Sequence, residues 1–110
     1  MKVAIIGTTA YKDHMLEHKL QLAQLGHDAK IPAFDDLKCE DEVEICDYNK
    51  SIIEWSDEVH IFWDSRSIGT LFDFGMCFAL NKPIVIKYIE RKTFPNVMRQ
   101  YALRNRGACD

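Results

Sequence analysis

Apolar residues occur along the chain in short continuous runs that alternate with longer stretches of helical periodicity. The segments 3–6, 58–63 and 84–89 predict β-strands, and 27–32, which alternates in polarity, predicts a weaker one. The periodic stretches predict helices over 11–25, 41–55 and 70–80, and a last helix from near Pro95 to about Arg104. Strict alternation of strands and helices favours right-handed crossovers onto one parallel sheet. We therefore predict an α/β fold in a single doubly wound domain, residues 1–110, with about four strands in the order 2-1-3-4 and helices on both faces.

Particular residues refine this outline. The run 3–6 is wholly apolar, which indicates a strand buried on both faces, whereas Pro32 and the alternating polarity of 27–32 are typical of an edge strand. Gly26 is placed to end the first helix. The apolar residues that set the helical spacing, and that we expect to face the sheet, are Leu16, Leu20 and Ala23 in the first helix and Ile45, Ile52 and Ile53 in the second.

The predicted strand order also locates a ligand site. The direction in which the chain winds along the sheet reverses between strands 1 and 3, which leaves a crevice above their carboxyl ends, where open α/β sheets bind ligands. The loops that border this crevice are 7–13 and 64–73. We therefore expect a small-molecule site at these two loops.

Composition restricts the class of protein. Hydrophobic residues make up 47% of the chain and charged residues 28%, a balance typical of globular proteins. The amino-terminal apolar run is far too short for a signal peptide or a membrane span, so we expect a cytoplasmic protein without a membrane partner. The cysteines show no C-x-x-C spacing and are expected to be free thiols: Cys39, Cys46, Cys77 and Cys109.

Charge is distributed unevenly along the chain. The net charge of −3 argues against a nucleic-acid polymer as partner. Residues 35–58 are strongly acidic and residues 87–106 are basic. Two solvated faces of opposite sign would explain this distribution, and so would a basic tail that serves a phosphate or a neighbouring subunit.

The loop after the third strand carries the most chemistry. Asp64, Ser67, Gly69, Thr70 and Asp73 lie within ten residues at the predicted crevice. Gly69 would let the backbone approach a ligand, and the free amides of the third helix could accept an anion. We expect Asp73, in the first helical turn, to stay ionised beside the helix dipole and to be a competent nucleophile for an anomeric carbon.

A purely structural interpretation of the same loop stays open. Thr70-x-x-Asp73 has the spacing of a capping box, in which Thr70 would cap the helix and Asp73 would reach back to its amide. Asp64 would then be only a turn residue that ends a strand.

Other motifs argue against a cofactor. Gly7-Thr8-Thr9 lacks the G-x-G-x-x-G order and is too short for a Walker loop, so no nucleotide cofactor is expected. The pair His14 and His18 has the H-x-x-E-H spacing, but no third ligand is positioned by the sequence, so we expect no metal.

The residues around this loop resemble a known family. The segment 55–64, continued by 67–75 and 79–83, is similar to the nucleoside 2-deoxyribosyltransferase superfamily, which includes the nucleotide N-glycosidases. The core of the resemblance is D-x-x-S-x-G-T-x-x-[ED]-x-G, from Asp64 to Gly75. Gly7 and Tyr11 also fall where that family has its first-strand loop and a tyrosine of the site. The resemblance implies a flavodoxin-like or Rossmann-like domain, a nucleoside or nucleotide as the small-molecule partner, and a homo-oligomer.

The resemblance further implies a double displacement at C1′ of the sugar. In that scheme Asp73 is the nucleophile, Tyr11 orients it, and Asp64 lies near the base or the sugar. The residues expected to bind substrate are Gly7, Asn49, Arg66, Ser67, Gly69 and Thr70, with Arg66 and the amides around Ser67 as the local candidates for a 5′-phosphate.

The chain departs from the family pattern at two positions. The family's nucleophile is usually glutamate, which is one methylene longer than Asp73. Where the family tends to have an aspartate, suited to protonating the base, this chain has Asn49; Asp47 lies on nearly the opposite face of the helix.

Three functions follow as hypotheses. The first is an enzyme that cleaves or transfers the N-glycosidic bond of a deoxynucleoside or its 5′-monophosphate. The second is a noncatalytic nucleotide-binding or sensing module on the same fold. The third is an assembly protein whose basic carboxyl-terminal segment docks on the acidic second helix of a neighbour.

Overall fold

A computed structural model of the protein describes residues 1–33, 41–89 and 94–106. The strands are β1 (Lys2–Ile6), β2 (Asp28–Lys30), β3 (Glu58–Trp63) and β4 (Ile84–Tyr88). The helices are α1 (Lys12–Gln24), α2 (Glu42–Trp55), α3 (Ile68–Ala79) and α4 (Phe94–Arg106), and a 3₁₀ turn (Thr9–Tyr11) precedes α1. The alternation predicted from the sequence is therefore confirmed.

The four strands form one parallel sheet in the order β2-β1-β3-β4, as predicted. β1 lies in the interior of this sheet, and residues 3–6 have no solvent exposure. β2 is a short edge strand, which fits its mixed polarity and Pro32 just beyond it. The chain adds β2 on one side of β1 and β3 on the other, so the winding direction reverses as predicted. The carboxyl ends of β1 and β3 lie at the same edge of the sheet.

The helices pack on both faces of the sheet. On one face, α2 and α3 bury Ile53 and Cys77 against Ile6, Val59 and Ile61 of the strands. On the opposite face α1 packs against the sheet with a second apolar cluster, whose members are Val3, Ile5, Met15, Leu22 and Phe62. The two clusters give the doubly wound arrangement expected of alternating strands and helices.

The expected apolar face of α1 is wrong. Met15 and Leu22 are buried, whereas Leu20 is 66% exposed. Between the two buried residues lies His18, whose Nε2 is 2.8 Å from Nδ1 of His60 on β3. His18 is polar but lies on the side of α1 that faces the sheet, where His60 is its hydrogen-bond partner. Apolar spacing alone therefore indicated the neighbouring, exposed side of the helix.

The remaining sequence predictions on local features have mixed outcomes. Gly26 ends α1 with a φ of 86°, a backbone conformation that favours glycine. Cys46 and Cys77 are free thiols, as expected, while Cys39 and Cys109 lie outside the described residues. No helix in the described ranges is both long and apolar enough to cross a membrane.

Candidate active site

A cavity of about 380 Å³ opens beside the carboxyl ends of the strands, where the strand order predicts a ligand site. Its walls come from the loop after β1, the segment after β2, one side of α2, and the beginning of α3. The lining residues are Gly7, Thr8, Thr9, Ala33, Ile45, Cys46, Asn49, Ser67, Gly69, Thr70, Phe72 and Asp73. The size falls within the range of small-molecule pockets.

The start of α3 decides where its side chains lie. Ser67 is the N-cap: its Oγ accepts hydrogen bonds from the amide of Thr70 at 3.3 Å and from the hydroxyl of Thr70 at 2.9 Å. The helix thus begins before Thr70, and the interpretation of Thr70 and Asp73 as a capping box is wrong. Asp73 lies in the second turn instead of the first, where it lines the cavity.

Asp73 is a buried carboxyl, only 7% exposed. Burial raises its pKa from 3.8 to about 6, and a side-chain hydrogen bond with Asn49 opposes the rise. The expected stabilisation of its charge by the start of the helix is therefore wrong, since desolvation dominates. The carboxylate is still mostly ionised at pH 7, and it is more basic than an exposed one, which suits a nucleophile.

Asn49 holds this carboxyl from α2. Its side chain is 6% exposed, and its Oδ1 accepts a hydrogen bond from the amide of Ala33 at 2.9 Å. Since the carbonyl oxygen faces Ala33, the amide nitrogen is the group that can donate to Asp73. Asp47, two residues earlier, is exposed, as the helical geometry predicts.

Asp64 organises the loop between β3 and α3. Its Oδ1 accepts hydrogen bonds from the amides of Arg66 at 2.9 Å and Ser67 at 3.0 Å. The intervening Ser65 has a φ of 65°, in the left-handed region. Asp64 therefore accepts hydrogen bonds within the turn that follows β3, and the amides proposed from the sequence for a 5′-phosphate already donate to this carboxylate.

Tyr11 joins the first loop to this turn. Its hydroxyl donates a hydrogen bond to Oδ2 of Asp64 at 3.0 Å. Both oxygens of the carboxylate are thereby used, which fixes the turn that leads into α3. Of the residues predicted from the family resemblance, Tyr11, Asp64 and Arg66 are not among the described residues that line the cavity.

The structure brings together the other predicted residues around the cavity: Gly7, Asn49, Ser67, Gly69, Thr70 and Asp73. Sequence reasoning missed Ile45 and Cys46, although they lie one helical turn before Asn49 and share its side of α2. It also missed Ala33, which follows the carboxyl end of the edge strand. The two threonines after Gly7 belong to a loop that the strand order had already indicated.

A buried thiol next to Asp73 and the aromatic side chains near the cavity complete the description of the site. Burial, and then the charge of Asp73 one turn away, raises the pKa of the Cys77 thiol to about 11, so this thiol stays protonated at neutral pH. Phe72 lines the cavity, whereas Trp63 lines a separate apolar cavity of about 200 Å³.

Comparisons with known proteins agree with the architecture. No protein-family model and no curated protein sequence matches the chain. Among solved structures, a 2-deoxyribosyltransferase from Leishmania mexicana is similar at 17% identity and a TM-score of 0.67, over 93% of this chain and 72% of that one. A 2-deoxyribosyltransferase from Bacillus psychrosaccharolyticus gives 16% identity and a TM-score of 0.65, over 86% and 77%.

A third solved structure, a CMP N-glycosidase from Clostridium botulinum, has 13% identity and a TM-score of 0.59, over 92% of this chain and 98% of that one. The chain has the nucleoside 2-deoxyribosyltransferase fold. At these identities the likeness establishes the architecture alone, because one fold can carry many functions.

Proposed function

We propose that the protein cleaves or transfers the N-glycosidic bond of a (deoxy)nucleoside or its 5′-monophosphate through a covalent intermediate on Asp73. The observation that carries the proposal is a buried carboxylate of raised pKa that lines a cavity at the carboxyl ends of the strands. The structural neighbours support it, because they are two 2-deoxyribosyltransferases and a CMP N-glycosidase.

The proposed reaction has two displacements at one carbon. An oxygen of Asp73 bonds to C1′ of the sugar while the C1′–N bond breaks, and the base leaves with that electron pair and takes up a proton. Water or a second base then attacks C1′, the C1′–oxygen bond to Asp73 breaks, and the carboxylate is restored. Hydrolysis and transfer differ only in which of these two acceptors reaches the intermediate.

The site geometry supports the first displacement. Asn49 donates to one side of the Asp73 carboxyl, and its own carbonyl is held by the amide of Ala33, so the nucleophile is restrained. The two bonds that fix Asn49 tie α2 and the end of β2 to the helix that carries the nucleophile. Such restraint favours attack, because small misplacements of a reacting group are costly in rate.

Substrate contacts are proposed from the remaining lining residues. Thr8, Thr9 and Ser67 line the cavity, and their hydroxyl groups are suited to a sugar or a phosphate. The exposed side chain of Arg66 follows Asp64 in the same loop and is the proposed partner for a 5′-phosphate. Phe72 supplies an aromatic surface for the base.

A panel of deoxynucleosides and their 5′-monophosphates tests the proposal. The protein is incubated with each compound, with and without a second base, and free base is separated by chromatography. Asp73→Asn, which keeps the shape of the side chain, should lower the rate at least about a thousandfold. The matched control is Asp47→Asn on the exposed side of α2, which should leave the rate unchanged.

A second measurement addresses the intermediate. Acid quench during turnover, followed by intact-mass measurement, should show the chain carrying one glycosyl group, which peptide mapping assigns to Asp73. Release of no base from any compound, with or without an acceptor, would refute the proposed reaction.

One observation favours the alternative of a noncatalytic nucleotide-binding module. Asn49 occupies the position at which the resembled family tends to have an aspartate, and an amide is too weak an acid to transfer a proton to a leaving base. Calorimetry should then show nucleotide binding without release of base, and Asp73→Asn should bind as tightly as the wild type or more tightly.

A further inference from the structure

Asn49 lies beside the carboxyl of Asp73, and its side chain cannot act as an acid. It is 6% exposed, and its carbonyl oxygen accepts the hydrogen bond from the amide of Ala33 at 2.9 Å. The amide nitrogen donates a hydrogen bond to Asp73 but is far too weak an acid to protonate a leaving base. A base that needs a proton in order to leave must therefore obtain it from another group.

The described wall of the cavity offers few other acids. Of the described residues that line it, only Asp73 and Cys46 have a titratable side chain. Asp73 has to be ionised when it attacks C1′, so it cannot also be the acid of the first displacement. Tyr11 and Asp64 are hydrogen-bonded to each other at 3.0 Å and are not among the described lining residues. Within the described wall, the thiol of Cys46 is thus the group whose part in proton transfer has to be tested.

The charge around the cavity favours a positively charged ligand. The described lining contains no lysine, arginine or histidine, and Asp73 is its one charged side chain. Glu42 lies on α2 one helical turn before Ile45 and Cys46, and so adds a carboxylate on the side of the helix that borders the cavity. Phe72 lines the same cavity, and the face of an aromatic ring attracts a cation. Together these groups suit a ligand with a positively charged ring.

The burial of Asp73 affects which bases can leave. Its side chain is 7% exposed, so the first displacement takes place where charges are poorly solvated. If a neutral base left without a proton, the negative charge of Asp73 would move onto the base and stay in this environment. If the base carries a positive charge, the attack cancels both charges as the C1′–nitrogen bond breaks. Desolvation of the carboxylate therefore favours the reaction of a cationic base.

We propose that the site acts on N-glycosides whose base is a cationic ring, such as an N-alkylated purine or a pyridinium, an inference that rests on the reaction at Asp73 proposed above. An oxygen of Asp73 bonds to C1′, the electron pair of the C1′–nitrogen bond passes to the ring, and the base leaves as a neutral molecule without taking up a proton. Water then attacks C1′, the bond from C1′ to Asp73 breaks, and one proton is released to solvent. Asn49 is then a residue that determines specificity, because this reaction needs no acid at its position.

A matched pair of substrates tests the proposal: 7-methyl-2′-deoxyguanosine, whose base is a cation in mildly acidic buffer, and 2′-deoxyguanosine, whose base is neutral in the same buffer. Free base is measured by chromatography, and spontaneous release is subtracted. A general acid contributes about 10²–10⁴-fold, so kcat/KM of the wild type should favour the methylated substrate at least about a hundredfold. Asn49→Asp supplies a carboxyl that should hold a proton beside Asp73, and should lower this preference at least about tenfold. The matched control, Asp47→Asn on the exposed side of α2, should keep the wild-type preference.

Failure of this proposal can be distinguished from failure of the reaction at Asp73. A smaller wild-type preference, with base released from both substrates, would overturn the proposal and leave that reaction standing; this result decides even where Asn49→Asp does not fold. A folded Asn49→Asp variant with the wild-type preference would overturn it as well. Cys46→Ala should affect both substrates alike, and a loss confined to 2′-deoxyguanosine would overturn the proposal, because the thiol would then be the acid. Release of base from neither substrate would overturn the proposal and the reaction together.

Discussion

Replacing Asp73 with asparagine should make the protein more stable while it removes the proposed nucleophile. The substitution exchanges a buried carboxylate for a neutral amide of nearly the same shape, and the new amide oxygen can still accept a hydrogen bond from Asn49. The gain in stability should therefore report the cost of holding a charge in the cavity wall.

The size of the gain follows from the pKa of Asp73. A rise from 3.8 to about 6 corresponds to about 3 kcal/mol at 1.36 kcal/mol per pKa unit. The folded state binds the proton more tightly than the unfolded state, so wild-type stability falls as pH rises between these two values. The advantage of Asp73→Asn should thus be up to about 3 kcal/mol near pH 7.5 and only about 1 kcal/mol near pH 4.5.

Urea unfolding at these two pH values measures the difference directly. The wild type and Asp73→Asn are compared at each pH. Asp47→Asn, at an exposed position of α2, is the control for the loss of one carboxylate. The control should change stability by less than about 0.5 kcal/mol. An Asp73→Asn variant less stable than the wild type near pH 7.5, or an advantage of equal size at both pH values, would refute this account of the site.

Two further predictions concern α1 and its contacts with the sheet. Gly7→Ala should lower stability by about 1–3 kcal/mol, because the new Cβ would lie 2.9 Å from Sδ of Met15 on α1 and 3.1 Å from Cβ of Phe62; unchanged urea unfolding would contradict this. The pKa of His18 is lowered by burial and then by the charges of His60 and Lys87, so folding opposes its protonation and stability should fall as pH drops below 6.5. The measurement is the Tm of thermal unfolding as a function of pH. His18→Gln should show a smaller decrease in Tm below pH 6.5 than the wild type, and an equal decrease would show that His18 is not the cause.

The strand order and the place of the site could be predicted because each rests on a local pattern. Four predicted strands separated by segments of helical periodicity are compatible with only a few topologies. In a parallel sheet the carboxyl ends of the strands lie at one edge. The segment from Asp64 to Asp73 then had to lie at that edge. Its position next to the cavity required no knowledge of side-chain contacts.

The errors have two sources: a polar group satisfied by a residue distant in sequence, and a helix start for which two neighbouring residues were candidates. The buried face of α1 includes His18, which depends on His60 of β3 and so could not be recognised from helical spacing. The N-cap of α3 is Ser67 instead of Thr70, and the difference moved Asp73 from the first turn to the second. Both residues are ordinary cap formers, so the sequence offered two starts for one helix.

The sequence by itself determined the order of strands and helices, the parallel sheet and the edge at which a ligand would bind, since all three depend on periodicity within short segments. Only the tertiary structure decided the state of Asp73, because its raised pKa comes from burial and from Asn49 on another helix. It also decided that Tyr11 holds Asp64 and that the apolar side of α3 faces outward. Burial and hydrogen-bond partners are properties of several segments together, so no single segment can specify them.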